Sequence, residues 1–231
     1  MGLAHSPSTV MNGLVLALDA GNPKSYPGSG TTWTDLSGNG NTGTLTNGPT
    51  YDSANGGSIV FDGSNDNITF SSNPSLTNQV TFETWVKLSS TTPNGLGTIF
   101  SRETVSSGSY RMLYDSNSFN WVCATTNNGW YSTPGNSIST GSVTPHTQTY
   151  QVVGTYNGSN LQLYINGQLR TTGEAITGNI LTTGTFYLMR KNASNIDYGK
   201  GNIYSHKIYN RALTASEIQQ NYIATKSRFG L

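Results

Sequence analysis

Three loops carry residue types that could hold a ligand, and each has a plainer alternative. The stretch DLSGNGN supplies the side-chain oxygens of Asp35, Asn39 and Asn41, between glycines that let the backbone fold tightly and present carbonyls. Calcium takes roughly six to eight oxygens in flexible geometry. This loop, completed by Asp19 or Asn22 from the neighbouring DAGNP turn, is therefore a candidate calcium site. It holds one carboxylate, does not match the EF-hand spacing, and its Asn-Gly repeats are also what tight turns require. A second cluster, Asp62, Asn65 and Asp66 in FDGSND, has two carboxylates but reads more simply as a hairpin turn with side-chain-to-backbone hydrogen bonds. The third loop, TTNNGWYSTPGNS, sets Trp130 and Tyr131 beside Asn127, Asn128 and Asn136. An aromatic plane against the CH face of a pyranose, with amides for its hydroxyls, is the chemistry of a sugar platform. The same side chains serve protein contacts, or fold back as a lid over a core.

Acid–base chemistry finds no comparable set. Glycoside hydrolysis needs two carboxyl groups about 5–10 Å apart, yet Glu83 is the lone acid of VTFETWVKL, and Glu103, Glu174 and Glu217 fall in loops or on a helix. His5, His146 and His206 are scattered, with no adjacent Ser, Cys or Asp for a relay and no pairing for zinc. Cys123, the sole cysteine, lies in the apolar run NWVCA and reads as a buried, inert thiol. The chain is accordingly expected not to be an enzyme. Lys+Arg 12 against Asp+Glu 11 leave a net charge of +1, so there is no basic field for a nucleic-acid backbone or an anionic membrane. No run approaches the roughly 18 to 20 apolar residues of a membrane span, and MGLAHSPSTVMNG lacks the order of a signal peptide.

The elements that must position these loops are short strands. Only 10% of residues are charged and glycine reaches 27, with Asn, Ser and Thr crowding the connections, as expected of strands joined by tight turns. LVLAL from Leu14 predicts a first strand buried on both sides, and the Gly-rich stretch from Asp19 to Tyr51 predicts ordered loops with short strands, anchored by Trp33 and Leu36. In VTFETWVKL, Val80, Phe82, Thr84 and Val86 share one face, and Thr81, Glu83, Trp85 and Lys87 the other. YQVVGTY and LQLYING predict a hairpin around NGSN with Leu161, Leu163 and Ile165 inward, and Asn166-Gly167 a type I′ turn into QLRTT. Strict alternation in NIYSHKIYN places Ile203 with Ser205, Lys207 and Tyr209. Near the end, Thr214 and Glu217 form a capping box opening a helix over about 214–225, expected across an end of the sandwich. Residues 1–12 are polar and predict an extended or disordered arm, and residues 13–231 one all-β domain, a two-sheet antiparallel jelly-roll sandwich with one short C-terminal helix.

Six segments in order, GLVLALDAGN, WTDLSGNGNTGTL, GGSIVFDGSNDNI, VTFETWVK, TYNGSNLQLYING and IYNRALTASEIQQNY, resemble the laminin-G-like domains of the concanavalin A-like lectin and glucanase superfamily across nearly the whole chain. The first, second and last resemble the versions found in virion structural proteins of tailed bacteriophages. The resemblance implies two antiparallel sheets, commonly a calcium ion at a loop edge, and glycan or protein recognition. It also implies a non-catalytic virion surface protein, a capsid decoration or tail-associated module, whose partners are other virion proteins and host surface glycans. A homo-oligomer, with a trimer as one form, fits that role. The alternative is a calcium-dependent adhesin for host polysaccharide; a glycan-processing enzyme is the remote one.

Overall fold

The computed structural model describes residues 7–89, 96–104, 107–129, 136–143, 146, 148–191 and 197–231. Among them the first strands are β1 (Leu14–Asp19), β2 (Thr32–Trp33), β3 (Gly43–Thr46), β4 (Thr50–Asp52), β5 (Ser58–Asp62) and β6 (Asn67–Phe70). The middle of the chain forms β7 (Val80–Leu88), β8 (Gly97–Glu103), β9 (Gly108–Tyr114), β10 (Phe119–Cys123) and β11 (Ser137–Ser139). Then come β12 (Tyr150–Tyr156), β13 (Asn160–Ile165), β14 (Gln168–Ala175), β15 (Thr185–Leu188), β16 (Lys200–Tyr209), helix α1 (Ala215–Thr225) and a 3-10 turn, Lys226–Phe229.

The strands make two sheets paired throughout antiparallel. The first runs β14-β13-β12-β7-β16-β5-β4, and the second β11-β10-β9-β8-β15-β6-β3-β2. One edge of β16 is shared: Lys200–Ile203 pairs with β5, and Ser205–Tyr209 pairs with β1. The facing sides bury a single large core, as the alternation of apolar residues requires. At its centre Phe82 stacks on Phe100 at 4.5 Å and leans on Tyr110 and Trp121 at 4.7 and 5.4 Å. The Trp121 indole donates to the Thr155 carbonyl at 3.1 Å, which satisfies a polar atom that burial would otherwise leave costly. Cys123 is a free, buried cysteine, and burial raises its thiol pKa far above the ordinary range.

The β12–β13 hairpin forms with Leu161, Leu163 and Ile165 in the core, and Asn166 and Gly167 adopt φ 51° and 76°, the left-handed pair of a type I′ turn. Three features depart from the alternation and spacing of the sequence. A bulge between Ile203 and Ser205 inverts the phase of β16, so Ile203 joins His206 and Ile208 in the core while Lys207 and Tyr209 face out. The FDGSND turn does not close a hairpin, because β5 and β6 belong to different sheets; it is a corner between them. Helix α1 lies on the outward face of the first sheet, where Leu213 and Ile218 pack with Val153, Tyr164 and Tyr209 in a second apolar cluster. That face, rather than an end, carries the uncovered apolar area that the helix can bury.

The capping box is complete: the Thr214 hydroxyl accepts from Glu217 N–H, and the Glu217 carboxylate accepts from Thr214 N–H. Within residues 7–12, the described part of the segment expected as an arm, Ser8 and Val10 are tied to the chain's own helix. Ser8 O accepts from Gln220 Nε2 at 2.7 Å, and Val10 N–H donates to Asn221 Oδ1 at 2.8 Å. Trp85 is sealed beneath the C-terminal segment, with its ring 4.3 Å from Phe229 and 5.9 Å from Tyr222.

Candidate functional site

The DLSGNGN loop is built around Asp35. Its Oδ1 accepts from the N–H groups of Ala17 and Ser37, both at 2.8 Å, and its Oδ2 from the Ser37 hydroxyl at 2.8 Å and Asn41 N–H at 2.9 Å. Gly38 and Gly40, at φ 86° and 74°, give the reversal that brings these donors round one carboxylate. Three further oxygens are also engaged: Asn41 Oδ1 by the Ser72 hydroxyl, Asn22 Oδ1 by Lys24 N–H, and Asp19 Oδ1 by Gly21 N–H and the Arg228 guanidinium. Asn39 is exposed and donates from Nδ2 to Leu14 O and Ser37 Oγ. Calcium needs about six to eight unengaged oxygens converging on one point. The residues as folded do not fit that demand, because N–H and O–H donors already occupy the carboxylate that would anchor the ion. Among the described residues no three His, Cys, Asp or Glu side chains form a metal-holding group.

Asp62 and Asp66 hold the corner between the sheets. Asp62 accepts from Ser64 and Asn65 N–H, and the Ser64 bond leads the causes that lower its carboxyl pKa. Asp66 accepts from Asp62 N–H while burial raises its own pKa.

Of the sugar-platform residues, Trp130 and Tyr131 lie outside the described residues. The asparagines are brought together at one end of the second sheet. Asn136 is buried and donates to Gly129 O at 2.6 Å, which closes the loop's base. Asn127 is exposed and donates to the Thr177 hydroxyl at 3.0 Å, and Asn128 N–H donates to Thr125 Oγ1 at 3.0 Å.

Alternation in single strands did not reveal the outward face of the second sheet, because register is needed to assemble it. Arg111 sits beside Ser101, and Ser101 beside Tyr187, so these three make a row across β9, β8 and β15. Glu103 follows on the same face, 3.6 Å from Arg111, and both are almost fully buried. Arg190 lies over the Tyr187 ring at 4.7 Å, and its carbonyl receives the Ser101 hydroxyl. The signal in the sequence was the alternation of SYRMLYD, which puts Arg111 opposite the core-facing Tyr110 and Met112.

The two glutamates buried in the sheets, Glu83 and Glu103, do not converge. Glu83 faces outward from the first sheet beneath α1, where it holds Lys207 at 3.3 Å and Asn221 at 2.6 Å. Glu103 faces outward from the second sheet, so the packed sandwich, about 10 Å between sheet planes, separates the two.

A model of the concanavalin A-like lectin/glucanases superfamily matches residues 62–219. No curated protein sequence matches the chain. Among solved structures the chain is similar to the Botulinum Neurotoxin Type G receptor binding domain, at 19% identity and a TM-score of 0.67, covering 91% of this chain and 51% of that one. Domain 4 of AbnA, a GH43 extracellular arabinanase from Geobacillus stearothermophilus solved in complex with arabinotriose, matches at 21% identity and a TM-score of 0.61, covering 90% of this chain and 98% of that one. A mutant of Trypanosoma rangeli sialidase displaying trans-sialidase activity matches at 16% identity and a TM-score of 0.65, covering 94% of this chain but 33% of the sialidase chain. The chain spans about half the length of the first structures it matches. At these identities the likeness is one of fold.

Proposed function

Because the chain belongs to the laminin-G-like family of the concanavalin A-like lectin/glucanases superfamily, we propose that it is a non-catalytic recognition module that binds glycan and is displayed on a virion surface. The observation that carries the non-catalytic reading is the separation of the buried acids. Glu83 is locked under α1 by Lys207 and Asn221, and Glu103 is paired with Arg111 on the opposite face of the sandwich. Neither arrangement leaves two carboxyls flanking one open cleft, as bond cleavage between sugars requires. Glycan recognition is supported by domain 4 of AbnA, a whole-chain match solved with arabinotriose.

Attachment to capsid or tail proteins is supported by the order and character of the six sequence segments that resemble tailed-phage virion domains. Antibodies against the chain are expected to label purified particles, and unlabelled particles would remove the virion role. Sedimentation of the isolated chain tests assembly: a concentration-dependent oligomer such as a trimer is expected, and a stable dimer alone contradicts it. The first experiment is a glycan array with the full chain, run with calcium and again with chelator. Equal signal in both runs is expected on the binding glycans. Signal only with calcium would favour a calcium-dependent adhesin, and silence in both would end the glycan reading.

A further inference from the structure

An arginine sits on the inner side of the second sheet, at one end of a mostly apolar core. Arg102 pairs in register with Phe186 of β15 and Tyr110 of β9, and both of those face the core. Its relative exposure is 8%, yet no carboxylate among the described residues pairs with it. Nε–H donates to the Gly184 carbonyl at 3.1 Å, and the Tyr110 hydroxyl lies nearby. Taking a guanidinium out of water costs several kcal/mol unless an anion or a full set of acceptors replaces the water. Among the described residues no Arg102 nitrogen is both buried and unpartnered, so the N–H groups not bonded to protein escape that cost by reaching solvent at the end of the sandwich.

Arg102 lines a cavity of about 260 Å³ that opens at the end of the sandwich, between the 73–76 loop and Thr182. Asn73, Ser75 and Thr182 are exposed at its rim, and Pro74 and Leu76 are buried in its wall. We propose that this cavity is a subsite for the carboxylate of an acidic sugar, with Arg102 as its anchor, which gives the glycan-binding reading a substrate class and rests on it. A planar guanidinium fork matches the two oxygens of a carboxylate. Among the described residues Arg102 is the one cation lining the cavity, which suits a monoanion better than a phosphate dianion. The exposed Ser75 and Thr182 hydroxyls and the Asn73 amide at the rim meet ring hydroxyls. The volume lies below the roughly 300–1,000 Å³ of drug-sized sites, so it takes a single sugar residue.

The test is calorimetric titration of the full chain with D-glucuronate, D-galacturonate and N-acetylneuraminate, each beside D-glucose, with sodium sulfate as a free-oxyanion control. At least one acid sugar is expected to bind ten-fold or more tightly than glucose and sulfate, and Arg102→Gln is expected to abolish that preference. Thr182→Trp, at the exposed rim, fills the mouth without disturbing the buried arginine and is expected to give the same loss should Arg102→Gln fail to fold. The proposal is overturned if no acid sugar is preferred, if sulfate binds equally well, or if the folded variants keep the preference. Glycans bound on the array by the wild-type chain with no acid sugar preferred in the titration would leave the parent reading intact while this subsite fails. A silent array beside a positive acid-sugar titration would restrict recognition to the subsite.

Discussion

His206 should make the fold acid-sensitive in a pH window of its own. Its ring lies between the sheets, 5.4 Å from Phe100, 5.9 Å from Phe186 and 6.3 Å from Phe82, and Nδ1 shares a hydrogen bond with the Thr84 hydroxyl at 2.9 Å. Nε2 has no partner among the described residues, so protonation would bury both a charge and an N–H without an acceptor. Burial accordingly pulls the imidazole pKa from 6.5 down to about 3. Attraction to the ring faces recovers about 2 kcal/mol and does not reverse the sign. The folded-state pKa is depressed, so the stabilisation is whole above the unfolded value of 6.5 and is lost as pH falls toward about 3. At about 1.4 kcal/mol per pH unit, going from about pH 7 to about pH 5 removes about 2 kcal/mol. Urea unfolding of the wild-type chain and His206→Gln at both pH values isolates the effect, because the other titrating groups are common to both proteins. The wild type should lose about 2 kcal/mol more than the variant over that interval. Equal losses would show that His206 titrates normally and that its buried, half-partnered state is wrong.

Asp35→Asn should cost about 2 kcal/mol or more, since it replaces a carboxylate accepting four hydrogen bonds; thermal melts should also show no calcium-induced rise in wild-type Tm, and a rise that vanishes in the variant would refute the loop-clamp role. Phe229→Ala uncovers Trp85, which should red-shift tryptophan emission and cost about 2 kcal/mol, below the fully buried Phe range; unchanged emission would contradict the stacked geometry. Glu217, bidentate with Arg211 at 2.6 and 2.9 Å, has its carboxyl pKa lowered from 4.5 to about 2. Its stabilisation is present above 4.5 and lost as pH falls toward about 2, a loss that acid unfolding of Glu217→Gln should not show. Cys123 should resist a thiol reagent in the native state and react once urea unfolds the chain; rapid native labelling would contradict its burial.

Local rules determined much of this protein from sequence. Turn chemistry at Asn166-Gly167, the capping box of Thr214 and Glu217, and the inward alternation of Leu161, Leu163 and Ile165 each depend on residues close together in the chain, and each appears as expected. The seat of a buried Trp85 was only half legible, because alternation fixes which face it takes and not that Phe229, far along the chain, covers it. A bulge at Ile203–Ser205 shifts side-chain phase by one residue, and no periodic pattern can announce it. Clusters were harder still. Asp35 offers suitable oxygens in any reading of DLSGNGN, but Ala17 N–H, from another strand, is among the donors that engage it. Arg111, Glu103 and Tyr187 meet only through register, and Arg102 carries its charge inward only because Phe186 and Tyr110 flank it in the sheet. Sequence thus determined the strands, the turns and the family, since these are set by short-range chemistry and pattern. Tertiary structure alone decided which polar groups are satisfied and which remain for a ligand, because a hydrogen bond or an ion pair depends on partners brought together by long-range pairing.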